Sequence, residues 1–189
     1  MRKLILFNMM TADGYFEGHN EDISWGRVDK EVNEFITEQM KTGDTLLFGR
    51  KTFEVMENFW PTDKAFEQDP VIAPMMSSFT KVVFSTTRKN SRWENTKWFK
   101  ANVLEEVVKL KEQKGKNMFV FGSADLCKTV IKHNLIDEFR LMIHPLTLGK
   151  GKLFFYTKMD FELLKTKVFG NGNVLLFYRP IKETNLKKS

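Results

Sequence analysis

What most restricts the fold of this chain is the way short, β-rich apolar runs alternate with longer amphipathic ones. KLILFNMM is followed by VDKEVNEFITEQMK and TLLFG by RKTFEVMENF. KVVFS is followed, after an irregular stretch, by VLEEVVKLKEQ, and MFVFG by ADLCKTVIKHN, before EFRLMIHPL. Short continuous or alternating apolar runs read as strands, and apolar residues three to four apart read as one face of a helix. Strands that alternate with helices need crossover connections, so this order predicts an α/β fold with a largely parallel sheet.

Within that frame, Val28, Val32, Phe35, Ile36 and Met40 form one apolar stripe, which predicts a helix over 28–41 that covers a sheet face. Val103, Val107, Val108 and Leu110 predict a second, ended by Gly115 in a left-handed conformation. The last third changes character. FELLKTKVFGNGNVLLFYRP reads as two extended runs around Asn171-Gly172, a dipeptide suited to a type I′ hairpin turn, so an antiparallel hairpin closes the sheet. After it, residues 181–189 read as a flexible polar tail and 1–180 as a single domain.

The length of 189 residues suits one domain, and 42% hydrophobic with 29% charged residues is ordinary globular composition. Thirty Lys and Arg against 24 Asp and Glu leave a net charge of +6, compatible with a phosphate-bearing ligand. Lys and Glu mix along the helices rather than forming a basic face, so nucleic acid is not an expected partner. A single cysteine, Cys127, has no disulfide partner, and the apolar opening run meets Asn8 and Asp13 without a cleavage site. The apolar runs fall short of the ~18 residues of a membrane span, so a cytoplasmic protein without membrane contact is expected. His19, His133 and His144 are scattered without ligand spacing, so no metal is expected; His133 and His144 read as structural and Cys127 as a packed thiol.

Three strand ends share one pattern, a glycine or serine followed by polar or basic groups: Gly49-Arg50-Lys51-Thr52, Ser85-Thr86-Thr87-Arg88 and Gly122-Ser123-Ala124-Asp125. Carboxyl ends of parallel strands lie along one edge beside helix amino termini, whose amides and dipole attract phosphate. The recurrence points to a dinucleotide, although each segment also fits a tight turn or a helix cap. No G-x-G-x-x-G or Walker sequence is present, which disfavours an ordinary Rossmann or P-loop protein. After the first strand, Asp13 and the aromatic Trp25 suit a flat heterocycle, with Asn8 as a further pocket residue. The same residues fit a simple turn at Asp13-Gly14 and a core plug at Trp25, and both readings stay open.

In order along the chain, TADGYFEG, TLLFGRKTFEVM, FWPT, KVVFSTT with WENT, FVFGSADL and LIDEFRLMIHPLTLGKGKLFF resemble the dihydrofolate reductase-like fold. More narrowly, they resemble the C-terminal reductase domain of the bifunctional riboflavin-biosynthesis deaminase-reductase and its stand-alone relatives. The resemblance runs from the first strand to Pro180 and implies a three-layer α/β/α architecture, a mixed and mostly parallel sheet, and NADPH as cofactor. It implies that Gly49, Arg50, Lys51 and Thr52 hold the pyrophosphate. Ser85, Thr86 and Arg88 would receive the adenosine 2′-phosphate, and Gly122, Ser123, Ala124 and Asp125 form the turn beside pyrophosphate and nicotinamide. Dihydrofolate reductases carry two glycines in that last turn, where this chain has Gly122-Ser123. They also place an acidic residue shortly after the tryptophan; here Asp29 stands one position early and Lys30 takes the slot. No counterpart of the deaminase half is expected in these residues.

The expected function is an NADPH-dependent reductase passing hydride to a small heterocyclic or ribosylated pyrimidine- or pterin-like substrate. Asp13 and Asp29 are the candidate proton donors or ring anchors. The alternative is a non-catalytic nucleotide- or flavin-binding module of the same fold. Family resemblance also implies a homodimer through the antiparallel end of the sheet, with VLLFY as the candidate surface.

Overall fold

The computed structural model describes residues 1–100, 102–121 and 124–181. Its elements are β1 (Leu4–Thr11), β2 (Tyr15–Glu17), α1 (Lys30–Met40), β3 (Gly43–Gly49), α2 (Arg50–Glu57), α3 (Asp63–Gln68), α4 (Ile72–Ser78) and β4 (Thr80–Phe84). They continue with β5 (Thr96–Phe99), α5 (Val103–Glu112), β6 (Asn117–Phe121), α6 (Ala124–Lys132), β7 (Glu138–His144), β8 (Lys152–Leu153), β9 (Phe161–Val168) and β10 (Val174–Pro180). Eight strands hydrogen-bond in the order β5-β4-β3-β6-β1-β7-β10-β9, a mixed and mostly parallel sheet as the alternation predicts, and β2 with β8 forms a separate pair. The chain divides into two compact units, Met1–Leu4 with Phe35–Leu135 and Ile5–Glu34 with Ile136–Ser189.

In the first unit β3 pairs in parallel with β4 and with β6, and β4 with β5. Leu46, Leu47, Phe48, Val82, Val83, Met118, Phe119 and Val120 are all buried, which is why these strands read as continuous apolar runs rather than alternating ones. Phe53 of α2 closes the core, its ring 5.7 Å from Trp93 and 5.2 Å from Trp98. The stretch that looked irregular contains β5, whose sequence TKWF carries too little apolar signal because this edge strand is only partly buried. A charge sits inside the same core. Lys81 of β4 is fully buried, donates from Nζ to the carbonyls of Met76 (3.1 Å) and Ser77 (2.7 Å) at the end of α4, and lies over the Trp93 ring. Gly115 does not end α5 as expected, since the helix stops at Glu112. Its φ of +154° and the absence of a side chain instead let the backbone pass the Arg2–Asp44 ion pair, where a Cβ would sit within 3 Å of both side chains.

In the second unit β1 runs parallel to β7, and β10 is antiparallel to both β7 and β9. The closing hairpin is present, but its connection is longer than the expected two-residue type I′ turn. Residues 169–173 are closed by Phe169 N–H to Asn173 O (2.9 Å), with Gly172 N–H on Phe169 O (3.0 Å) and only Gly172 at positive φ (+87°). One left-handed residue after a turn suffices for a five-residue loop, where type I′ needs two. Helix α1 likewise starts later than the apolar stripe suggests: Val28 is exposed and outside it. The 3-10 turn His19–Glu21 precedes it, with Asn20 and Glu21 both left-handed.

Candidate functional site

The parallel pairing of β3 with both β4 and β6 brings the strand ends before 50, 85 and 122 to one edge of the first unit. Gly122 and Ser123 lie outside the described residues. Asp125 is exposed in the first turn of α6, which starts at Ala124. Gly49 is the N-cap of α2 and brings no side-chain acceptor to the first amides of that helix, those of Arg50, Lys51 and Thr52. Arg50 and Arg88 meet at Glu54: Arg50 Nη1 donates to both carboxylate oxygens (2.8 and 3.1 Å), and Arg88 Nη1 stands 3.9 Å from Oε1.

Arg88 is also held from below. Its Nη2 donates to Glu57 Oε2 (2.6 Å), and its guanidinium lies over the rings of Phe53 and Trp98. Burial raises the Glu57 carboxyl, but hydrogen bonds from Ser91 (2.5 Å) and Arg88 outweigh it and hold the group below the ordinary carboxylate range. Buried Ser85 accepts at Oγ from the amides of Thr87 (3.2 Å) and Arg88 (2.9 Å), which shapes the loop, while Thr86 is exposed. Glu54, Glu57 and Ser91 escaped the sequence reading. Glu54 was findable as the i+4 partner of Arg50, but Glu57 meets Arg88 and Ser91 only through tertiary structure.

The end of β1 in the second unit is furnished differently. Asp13 accepts from Thr11 Oγ1 (2.5 Å) and from the amides of Leu148 (3.1 Å) and Gly149 (2.8 Å). The Thr11 hydroxyl and then these backbone donors hold its carboxyl below the ordinary range, so near neutral pH it is an ionised acceptor without a proton to give. Ala12 N–H to Leu146 O (2.9 Å) and the β2–β8 pairing continue the same clasp. Two of the sequence's most distinctive segments, TADGYFEG and LTLGKGKLFF, therefore hold each other. Gly151 is required at their crossing: a Cβ there would stand 2.3 Å from Glu17 O. An open cleft of about 370 Å³ lies beside the clasp, lined by residues 17–21 and 150–152, and neither Asn8 nor Trp25 lines it.

Asp29 also has a local task, accepting from Val32 N–H (3.0 Å) as the cap of α1. Both candidate proton donors are thus accounted for as acceptors of backbone hydrogen bonds. Asn8 is buried in β1, and among the described residues its Nδ2 has no hydrogen-bond partner. A buried donor left unpaired suits a polar ligand atom. Trp25 is half-buried, donates from Nε1 to Asp22 O (3.2 Å) and packs edge-on against His144 at 5.3 Å. His144 is fully buried and its Nδ1 accepts the Arg27 N–H (3.1 Å). Burial of Cys127 pushes its thiol up to about 12, so it is inert near neutral pH. Among the described residues no cluster of His, Cys, Asp and Glu could hold a metal, and no helix is long and apolar enough to cross a membrane.

Residues 2–175 match the family model of the RibD C-terminal domain. The uncharacterized protein YyaP of Bacillus subtilis is 34% identical over 180 residues, 94% of each chain. Among solved structures, a pyrimidine reductase-like protein from Corynebacterium diphtheriae superimposes with a TM-score of 0.67 at 13% identity, covering 96% of this chain and 92% of that one. A diaminohydroxyphosphoribosylaminopyrimidine deaminase/5-amino-6-(5-phosphoribosylamino)uracil reductase from Thermotoga maritima gives 0.68 at 16% identity, covering 95% of this chain and 57% of that one. At these identities the structural matches establish a shared fold.

Proposed function

This chain belongs to the RibD C-terminal domain family, and on that premise we propose that it is an NADPH-dependent reductase of a small pyrimidine- or pterin-like heterocycle. The observation that carries the reading is the meeting of Arg50 and Arg88 at adjacent parallel strand ends, beside the amino terminus of a helix whose cap residue is a glycine. Two guanidiniums and a helix amino terminus are the donor set a polyphosphate needs, so the residues present fit the cofactor. Gly49, Arg50, Lys51 and Thr52 would hold its pyrophosphate, and Ser85, Thr86 and Arg88 its 2′-phosphate. Gly122 to Asp125 complete the proposed set. Bound NADPH supplies the hydride.

The chain's own residues bind, orient and exclude water. Glu57 keeps the Arg88 guanidinium aligned, and an incoming phosphate competes with Glu54 for Arg50 and Arg88. In the second unit, Asn8 offers an unpaired amide donor and Trp25 an aromatic face, which suit a planar polar ring. Asp13 positions the 146–149 segment rather than donating a proton. A second reading, a nucleotide- or flavin-binding module without turnover, draws support from the same fact: Asp13 and Asp29 are both committed to backbone amides.

Calorimetric titration with NADPH and NADH tests the cofactor assignment. NADPH should bind the more tightly, and Arg88→Ala should weaken it ~10–100-fold while leaving NADH within a few-fold, since a charge-assisted hydrogen bond contributes about 1.5–3 kcal/mol. Equal affinities in the unaltered protein would remove the 2′-phosphate assignment. A cofactor-oxidation screen against dihydrofolate, aminopyrimidine ribosides and simple carbonyl compounds separates the two readings: binding without oxidation of any favours the module. We also place a second copy of the chain against β9, whose Leu163, Leu164 and Val168 are exposed, rather than against VLLFY, which is half-buried. A monomer by light scattering argues against it.

A further inference from the structure

The peptide of Arg27 is gripped from both sides. Its N–H donates to Nδ1 of His144 at the end of β7, and its carbonyl accepts from Nδ2 of Asn173 (2.7 Å), the residue before β10. The hairpin loop adds Asn171 Nδ2 on the same carbonyl (3.4 Å), and Glu31 at the start of α1 accepts from Gly170 N–H and Lys167 Nζ, both at 2.9 Å. His144 and Asn173 are fully buried, and His144 meets the edge of Trp25. Because a backbone N–H faces Nδ1, that nitrogen carries the lone pair and the ring proton sits on Nε2. A second proton, on Nδ1, would set two donors face to face.

We propose that His144 and Asn173 are positioning residues that hold the Trp25–Arg27 segment in place, and that the hold is released when the imidazole of His144 takes up a proton. The inference rests on the reading of Trp25 as a wall of the substrate pocket, but its geometry does not. Burial, and then the charge of Arg27, push the imidazole below its ordinary range, so near neutral pH the ring accepts and the segment is held. Arg27 is the charge that faces it from the segment above. By register, the same-face residues of β1 are Ile5, Phe7, Met9 and Thr11, and those of β10 are Leu175 and Phe177, all uncharged. On β7 that face carries Arg140 and Glu138, paired with each other at 2.8 Å, and on β9 Lys165 and Lys167, with Lys167 engaged by Glu31. The carboxylates in this set, Glu138 and Glu31, are engaged by Arg140 and by Lys167, and the charge that acts on the ring is that of Arg27.

Hydrogen exchange of the Arg27 amide, taken as protection relative to an unstructured peptide at each pH and read on the full chain without cofactor, tests the proposal. Protection should fall about tenfold or more as the pH is lowered from about 8 to about 4, because the imidazole protonates below its ordinary range. His144→Asn keeps an acceptor near the Nδ1 position and does not titrate, so it should retain the high-pH protection with no slope. His144→Phe keeps a ring against Trp25 without an acceptor and should be poorly protected throughout, and Asn173→Ala should lower protection by a similar factor at every pH. A flat wild-type profile, or a His144→Asn profile that still slopes, overturns the proposal, and both stand even if His144→Phe does not fold. Exchange is read without substrate, so its failure leaves the reductase reading standing, and the absence of any reductase activity leaves the exchange result standing.

Discussion

The ends of β3 and β4 and the ends of β1 and β7 are both rims of parallel strand pairs, yet they are furnished in opposite ways. At the first, the two arginines are held by carboxylates: Arg50 with Glu54, and Arg88 with Glu54 and Glu57. At the second, the main groups are neutral or act on backbone: His144 and Asn173 on the Arg27 peptide, and Asp13 on Leu148 and Gly149. A rim of exchangeable ion pairs can trade a carboxylate for a phosphate at small net change in energy, because partly exposed pairs contribute little. A rim of buried hydrogen bonds cannot trade partners cheaply, because each donor it leaves unpaired costs about 1–3 kcal/mol. The first suits recognition of charge and the second suits a fixed shape.

The largest way to break the contrast is Gly151→Ala. With φ at +152° and Glu17 O where the methyl would go, the substitution should cost about 2–4 kcal/mol in urea unfolding and expose the amides of β2 to exchange. A loss under about 0.5 kcal/mol, within the range of ordinary surface changes, would mean the clasp is not rigid. Next is the buried charge of the first unit. Burial lowers the Lys81 ammonium to about 8, outweighing the opposing charge of Glu94. Between about pH 8 and the unfolded value of about 10.4 the unfolded chain binds more protons, so stability should rise with pH across that window, by up to about 3 kcal/mol. Read as the difference between the wild type and Lys81→Met, the opposite slope expected from Cys127, whose folded value is raised, cancels. A flat difference would place the charge in better solvation than its burial implies.

Smaller effects separate the two arginines. Arg50→Ala should weaken NADPH about tenfold and NADH equally, since its proposed partner is the pyrophosphate common to both, and a selective loss of NADPH would move the 2′-phosphate to Arg50. Glu54→Gln removes the competitor that Arg50 and Arg88 share. It should tighten NADPH about twofold, the scale of an exposed i,i+4 pair, and a loss of affinity would make Glu54 an aligning group rather than a competitor.

The parallel sheet and the strand ends before 50 and 85 were readable because both follow from local rules: apolar runs of strand length, and polar or glycine residues where a strand stops. The roles of individual acids were not. Asp13 and Asp29 looked like proton donors because a carboxylate near an aromatic suits a heterocycle. What their carboxylates actually meet, the amides of Leu148 and Gly149 and of Val32, differs in how far a sequence can show it. The cap was legible, lying three residues away on the same helix; the clasp was not, joining positions 135 residues apart. Gly115 shows the same limit, assigned to a helix end by its neighbours in sequence and in fact required by Arg2 and Asp44.

By itself the sequence determined the α/β class, the order of strands and helices, the antiparallel closure and the edge on which basic groups gather, since propensity, periodicity and turn chemistry act over a few residues. Only the tertiary structure decided which of those groups are engaged and by what: Glu57 on Arg88, Asp13 on the 148–149 amides, His144 and Asn173 on Arg27. Hydrogen bonds and ion pairs depend on distances of a few ångströms between residues that the chain order leaves far apart, and the packed sheet sets those distances.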